Sequence, residues 1–264
     1  MRLEHPAYGV IREVTPFASV VLADNPSHMT LDGTNTWVLR DPRSSRSVVV
    51  DPGPDDAEHV RRVAAAGSIE LILITHRHID HTEAIDSLVG LVQAPVRALR
   101  PDDCRDADPL APGERINVAG LTIEVVSAPG HTADSLMFRA GAAGEAALLT
   151  GDTILGRGTT VLDAHDGDLG DYLNTLRTII EAADGIPGLP GHGPEIDNVA
   201  PVAREYLAHR EERLDQIRDA LRVLGAGASA REIVEHVYAD VDRHLWPAAE
   251  ASVHVQLTYL RQRA

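Results

Sequence analysis

The stretch that most constrains this chain is His76-Arg77-His78-Ile79-Asp80-His81, which follows the apolar run Leu71-Ile72-Leu73-Ile74 with only Thr75 between. A short all-apolar run reads as a buried strand, so His76 stands just beyond a sheet edge. In extended backbone, side chains two residues apart point the same way. His76 and His78 therefore share a direction, while Asp80 and His81 can turn toward a neighbouring position. One segment offers ligands to two metal positions.

The same grammar recurs along the chain. The run 47–50 ends in Asp51-Pro52-Gly53, and 121–126 leads to Pro129-Gly130-His131. Likewise 146–149 leads to Thr150-Gly151-Asp152, and 186–189 to Pro190-Gly191-His192-Gly193. Strand ends along one edge of a layered sheet are where α/β folds gather chemistry, and glycine lets the backbone approach closely. Zinc takes imidazole nitrogen and carboxylate oxygen, and a catalytic zinc keeps a position open for water. His76, His78, Asp80, His81, His131, Asp152 and His192 supply that donor set. Their spacing alone leaves open which of them share an ion.

The remaining pattern fills in a layered domain followed by helices. Short strands are expected at 10–14 and 19–22, followed by a Pro/Gly/Asn-rich loop at 25–34 that leads into Asn35-Thr36-Trp37-Val38-Leu39 and reads equally as a lid or a surface connection. A helix is expected at 55–66. Leu169, Tyr172, Leu173, Leu176, Ile179 and Ile180 recur at helical spacing and predict an amphipathic helix over 168–182. From there the pattern is helical: 199–224, stopped by Gly225-Ala226-Gly227; a helix opened by the Ser229/Glu232 capping box and running to Tyr238; and a last one from Pro247 with Val253, Leu257 and Leu260 inward. The expected division is a catalytic domain over 1–200 and a helical domain over 201–264.

Charge narrows the partners. The 24 basic residues are all arginine and stand against 40 acidic ones, for a net charge of -16. Residues 201–264 carry -1 and the first 200 carry -15. Proteins that bind nucleic acid through their general surface carry a basic footprint, and 3% aromatic residues leave few platforms for stacked bases. A small-molecule substrate is expected, and DNA is not. No apolar leader stands in residues 1–14, and no run approaches the ~20 apolar residues that span a bilayer, so the expectation is a cytoplasmic protein without membrane contact. The single cysteine, Cys104, lies in an Asp-rich loop and reads as neither ligand nor nucleophile. The histidines at 5, 28, 59, 165, 209, 236, 244 and 254 have no partners at metal spacing and read as surface or packing residues.

His76 to His81 resembles the His-x-His-x-Asp-His signature of the metallo-beta-lactamase superfamily, and Asp51, Pro129-Gly130-His131, Thr150-Gly151-Asp152 and Gly191-His192-Gly193 follow in that family's order. The resemblance implies an α/β fold, an αββα sandwich with a dinuclear zinc site. His76, His78 and His131 would serve one ion, Asp80, His81 and His192 the other, and Asp152 would stand between them. Asp51 would fix the loop that holds the histidines. Iron and manganese are the alternatives to zinc.

A resemblance over almost the whole chain is to the beta-lactamase-like protein 2 branch. It rests on Asn25-Pro26, Gly33-Thr34-Asn35-Thr36, Gly156-Arg157-Gly158-Thr159-Thr160-Val161, Asp171-Tyr172-Leu173-Asn174 and Pro190-Gly191-His192-Gly193-Pro194. It implies a small C-terminal winged-helix-like domain, and the branch's animal member is described as an endoribonuclease on single-stranded RNA. The function expected is hydrolysis of a small ester, thioester or lactam by a metal-bridging hydroxide, with Asp80 and Asp152 in catalytic roles and Asn35 and Thr159 as substrate contacts. Cleavage of single-stranded RNA is one alternative, and a partner-binding module with residual metal chemistry is another. A homo-oligomer stays open.

Overall fold

Alternation along the first strands decides the layers. In the computed structural model, which describes residues 7–142, 144–163, 165–239 and 242–263, β1 (Ile11–Thr15), β2 (Ala18–Leu22), β3 (Asn35–Leu39) and β4 (Arg46–Val50) pair antiparallel in sequence order. α1 (Ala57–Ala64) crosses to β5 (Ser68–Leu73), which pairs parallel with β4. α2 (Ile79–Thr82) and α3 (Ile85–Val92) then lead to β6 (Val96–Arg97), parallel to β5. Val48 and Val50 face the second sheet, and Val49 between them faces α1 and α3, as the two-residue period of a strand requires.

The second sheet holds β7 (Arg115–Val118), β8 (Leu121–Ser127), β9 (Leu136–Ala142), β10 (Glu145–Gly151) and β11 (Gly188–Pro190), in the order β11-β10-β9-β8-β7. Between β10 and β11 runs α4 (Leu169–Ala182), N-capped by Asp168. The sheets meet face to face through Trp37, Leu39 and Leu73 on one side and Ile123, Phe138 and Leu149 on the other. α4 and the first half of α5 (Val199–Leu224) cover the outer face of the second sheet through Tyr172, Leu176, Ala203 and Tyr206. This is the αββα sandwich.

The sheet directions bring the chemistry to one edge. β8 and β10 are both antiparallel to β9, and β11 is parallel to β10. Their C-terminal ends therefore share an edge, and His131, Asp152 and His192 leave from it. Asp51 and the histidine segment leave from the ends of the parallel pair β4 and β5.

α6 (Ala230–Val237) and α7 (Trp246–Gln262) pack with the second half of α5 around Ile217, Ile233, Val234, Trp246, Val253 and Leu257. The Ser229 capping box forms in both directions. No strand follows β11 among the described residues, and among them no helix is long and apolar enough to cross a membrane. β9 has no sequence signal. Its Leu-Met-Phe-Arg-Ala-Gly-Ala lacks β-branched residues, and its place between β8 and β10 supplies the structure that propensity does not. His5 lies outside the described residues; His28, His165, His236, His244 and His254 are exposed and His209 is half-buried.

His59 is the exception, 3% exposed on the inner face of α1. Its Nε2 lies 2.9 Å from Thr36 Oγ1 and 3.2 Å from the Pro52 carbonyl. Burial pushes its pKa from 6.5 down to about 4, against the pull of the Pro52 carbonyl. The unfolded chain binds this proton first as pH falls, so the stability His59 contributes is present above pH ~6.5 and lost toward pH ~4. The shift corresponds to about 3 kcal/mol. Urea unfolding of metal-free protein at pH 7 and pH 4.5 should show a steeper acid loss in the wild type than in His59→Gln; equal losses would contradict it.

Candidate metal centre

β5 ends at Leu73, the chain bends at Thr75, and His78, in extended backbone, is the residue before α2. The chain thus changes direction inside the motif. His76 and His78 project before the turn, while Asp80 and His81 lie within it and face elsewhere. Two groups result: His76, His78, His131 and Asp152 in one, and Asp80, His81 and His192 in the other, with the ligand atoms of each within 4.8 Å of one another.

Within the first group, His78 Nδ1 lies 3.0 Å from His76 Nε2 and 3.1 Å from His131 Nε2. Asp152 Oδ2 is 3.9 Å from His76 Nε2 and 3.7 Å from His131 Nε2. In the second, His192 Nε2 is 3.3 Å from His81 Nε2 and 3.2 Å from Asp80 Oδ2. Asp152 reaches this group as well, with Oδ1 3.4 Å from His81 Nε2 and Oδ2 3.3 Å from His192 Nε2. Asp152 stands between the groups.

The outer ring nitrogens face acceptors. His78 Nε2 meets Asp163 Oδ2 at 2.9 Å, His131 Nδ1 the Val161 carbonyl at 2.6 Å, His81 Nδ1 Asp51 Oδ2 at 2.8 Å, and His192 Nδ1 the Gly33 carbonyl at 3.1 Å. His76 Nδ1 lies 3.0 Å from Thr75 Oγ1. An imidazole that donates from its outer nitrogen turns a lone pair inward. Lone pairs converging at hydrogen-bond distance repel unless a cation or a proton stands among them. Asp152 Oδ1 is also buried with no hydrogen-bond partner, an arrangement that costs free energy unless a ligand uses the oxygen. The donor set fits divalent metal ions.

The charge pattern agrees. Burial holds His76 well below its ordinary pKa and lowers His131. Burial also opposes charge on His81 and His192, but the carboxylates around them outweigh it, raising His81 well above its usual range and His192 to about 9. A proton on these rings answers the field of Asp80 and Asp152 that a metal ion would answer.

Asp51 fixes the centre from behind. It is 2% exposed, with a left-handed φ of 53°. Its Oδ1 accepts the Thr75 N–H at 2.8 Å, and its Oδ2 accepts the Thr75 hydroxyl at 2.7 Å besides facing His81. Gly191 is needed for close approach, since a Cβ there would lie 2.5 Å from Asp152 Oδ1 and 2.8 Å from His81 Cε1.

The two residues expected to touch substrate, Asn35 and Thr159, have different surroundings. The Asn35 side chain is buried, and its amide donates to the Pro190 and Gly193 carbonyls at 3.0 and 2.8 Å. Both donors are spent on the loop that carries His192, so Asn35 positions that loop. Thr159 is exposed, whereas its neighbour Thr160 is buried with Oγ1 3.3 Å from His131 Nδ1. Sequence reasoning missed Thr160, Asp163 and the carbonyls of Gly33 and Val161. Asp163 sits among the acidic residues 163–171 without periodicity, and a carbonyl carries no residue signal.

Residues 29–192 match the metallo-beta-lactamase superfamily, and residues 229–263 match the beta-lactamase associated winged helix domain. The beta-lactamase-like protein 2 homolog of Drosophila melanogaster is 33% identical over 92% of this chain and 87% of its own length. The lactamase-like protein vrtG of Penicillium aethiopicum is 32% identical over 91% of this chain and 79% of its own. The chain belongs to the metallo-beta-lactamase superfamily. Its members are metal-dependent hydrolases, and this protein is an enzyme of that kind. A metallo-beta-lactamase family protein of Thermus thermophilus shares the fold with a TM-score of 0.74 at 21% identity, over 94% of each chain. A beta-lactamase domain protein of Burkholderia ambifaria does so with 0.75 at 22%, over 98% of this chain and 90% of that one.

A cavity of about 530 Å³ lies beside the metallo-beta-lactamase centre, lined by Val10, Val20, Leu22, Arg157 and Gly193 among others. No residue of either ligand group lines it. Its two guanidiniums are taken, Arg12 by Glu195 and Arg157 by Asp32.

Asp51→Asn keeps a side chain that tolerates left-handed backbone but replaces one acceptor oxygen with a donor facing donors. It should cost about 1–3 kcal/mol of stability and about 10- to 100-fold in metal affinity, read by urea unfolding of the metal-free protein and by chelator competition.

Proposed function

We propose that this superfamily hydrolase uses two divalent cations, zinc in the first place with iron or manganese as alternatives, to cleave a small ester, thioester or lactam. The observation that carries the reading is the set of five imidazoles whose outer nitrogens meet fixed acceptors while the inner ones converge on Asp152 and Asp80. His76, His78, His131 and Asp152 would hold one ion, and Asp80, His81 and His192 the other. When bound, such a pair lowers the pKa of a water toward ~7 and polarises the substrate's oxygen.

The rest falls to the chain. Asp80 takes up the proton of the attacking water at its carboxylate and hands it to the leaving group; its Oδ2 is held by the Thr34 hydroxyl at 3.2 Å. Asp152 keeps both groups in register. No thiol nucleophile is called for, because Cys104 packs at the margin of the α1/α3 core with its Sγ 3.4 Å from the Arg100 carbonyl.

A small substrate with an apolar portion is supported by the side chains flanking the ligands. Ile79, between His78 and Asp80, is 67% exposed, and Val161, whose carbonyl holds His131, is 53% exposed. The net charge of -16 repels a polyanion. The same balance places single-stranded RNA second among substrates.

The test incubates zinc-loaded protein and Asp152→Ala with a panel of esters and thioesters and with single-stranded RNA, at low and physiological salt. Turnover of a small ester or thioester by the wild type, abolished together with bound metal in Asp152→Ala, is the expected result. RNA cleavage by the wild type alone, falling steeply with salt, would replace the substrate and keep the metal chemistry. Full activity in Asp152→Ala would overturn the mechanism.

A further inference from the structure

We propose that the segment 160–163 is the positioning wall of one metal position only, with Asp163 as the positioning residue of His78, so that the two positions of the centre load with separately adjustable affinities. The inference rests on the two-cation reading above.

Two walls hold the centre from opposite sides. The first is the segment 160–163, which grips two of the three histidines of its group, His78 and His131. Asp163 Oδ2 faces His78 Nε2 at 2.9 Å, the Val161 carbonyl faces His131 Nδ1 at 2.6 Å, and the Asp163 N–H donates to the His131 carbonyl at 2.8 Å. This wall is itself braced. The Arg77 guanidinium lies 3.2 Å from Asp163 Oδ2 and 2.8 Å from Asp166 Oδ1, and the His165 N–H donates to Asp163 Oδ1 at 2.7 Å. At its other end Arg210, 7% exposed on α5, donates to the Thr160 carbonyl.

The second wall comes from the opposite sheet. The Gly33 carbonyl holds His192, Asp51 holds His81, and the Thr34 hydroxyl donates to Asp80 Oδ2. Thr34 is buried and fixed by Asn25, whose Nδ2 donates to its hydroxyl at 3.0 Å. Asp152 faces histidines of both groups, and the Thr75 hydroxyl stands between Asp51 and His76.

The chemistry of His78 makes Asp163 decisive. A histidine bound through Nδ1 must carry its proton on Nε2, and a carboxylate at Nε2 both selects that tautomer and raises the basicity of Nδ1. With alanine at 163, the ring can place its proton on Nδ1 and turn it toward His76 and His131. His81 and His192 have acceptors of their own and are untouched.

The experiment titrates the full-length metal-free chain with zinc, and with cobalt for its absorption bands, reading stoichiometry by native mass spectrometry and affinity by chelator competition. The wild type should bind two ions in two resolvable steps. Asp163→Ala should weaken one step by about 10- to 100-fold and change the cobalt bands of that step alone. Thr34→Val, which removes one hydroxyl at nearly constant volume, should weaken the other step, and the double variant should show both losses. Asp163→Asn, whose amide oxygen still accepts from Nε2, should fall between wild type and alanine, and it carries the test should the alanine variant not fold. Equal weakening of both steps by the Asp163 variants, or of neither, overturns the inference. A wild type that binds no ion overturns the metal reading instead.

Discussion

The Asp51 carboxylate is the contact on which the rest of the centre depends. The backbone ladder between β4 and β5 runs out at the Asp51 N–H, which donates to Leu73. Past that point nothing in the sheet dictates where the chain goes. Asp51 takes over by accepting from the Thr75 backbone and hydroxyl and facing His81, five residues beyond His76. One buried carboxylate thereby fixes both the start and the end of the ligand segment. The left-handed backbone that aims it is a conformation aspartate adopts more readily than most side chains. A buried carboxylate with three donors is low in energy where it is and costly to replace, because each donor would be left unpaired away from water.

The same logic extends outward. An open centre of five histidines and two aspartates has no packing of its own to define it, so its geometry is borrowed. His192 borrows from the 25–34 loop, which closes on itself when the Asn25 side chain accepts from Thr34 and donates back to its hydroxyl. That loop is a buttress, whichever of lid and surface connection its composition suggested. Gly33, with φ 137° and a notional Cβ only 2.0 Å from the Ala23 carbonyl, is the residue that lets it close. His131 and His78 borrow from 160–163 instead. The inter-sheet core of Leu39, Ile123 and Phe138 sets the distance between the two lenders.

Much of this was legible in the sequence, and the limits have physical causes. Apolar runs ending in polar residues marked the strand edge, because burial is written in side chains. The helix starts at Asp168 and Ser229 and the stop at Gly225 were legible for the same reason: caps are local. Which side chains gather into one group was not, because the proximity of His131 to Asp152 depends on the direction of β8 relative to β10, and that is set by β9, whose Leu-Met-Phe-Arg-Ala-Gly-Ala lacks β-branched residues. The resemblance to a family implied a grouping where spacing implied none. Thr159 and Thr160 are chemically identical in sequence, and only the backbone decides which meets His131. Asn35 is a polar residue beside a site by any reading, yet its amide is consumed by two carbonyls.

The division after residue 200 falls inside α5, and α5 is where the sandwich and the C-terminal helices become mechanically one. Its 26 residues extend about 39 Å. Ala203 and Tyr206 belong to the core beneath the second sheet, while Ile217 and Ala220 belong to the core shared with α6 and α7. Between them Tyr206 bonds the backbone of Leu155, and Arg210 lies 5.3 Å from the Tyr172 ring centre while donating to Thr160. A guanidinium buried to this depth has no water to take the place of the Thr160 carbonyl, so releasing it would strand a charge in the interior. Displacing α5 would therefore strain the wall behind His131 through the Arg210–Thr160 contact. The winged-helix region contributes no ligand to either group; it is joined to the elements behind the histidines through α5 and through Val255, Tyr259 and Leu260 of α7, which pack against the core beneath the second sheet.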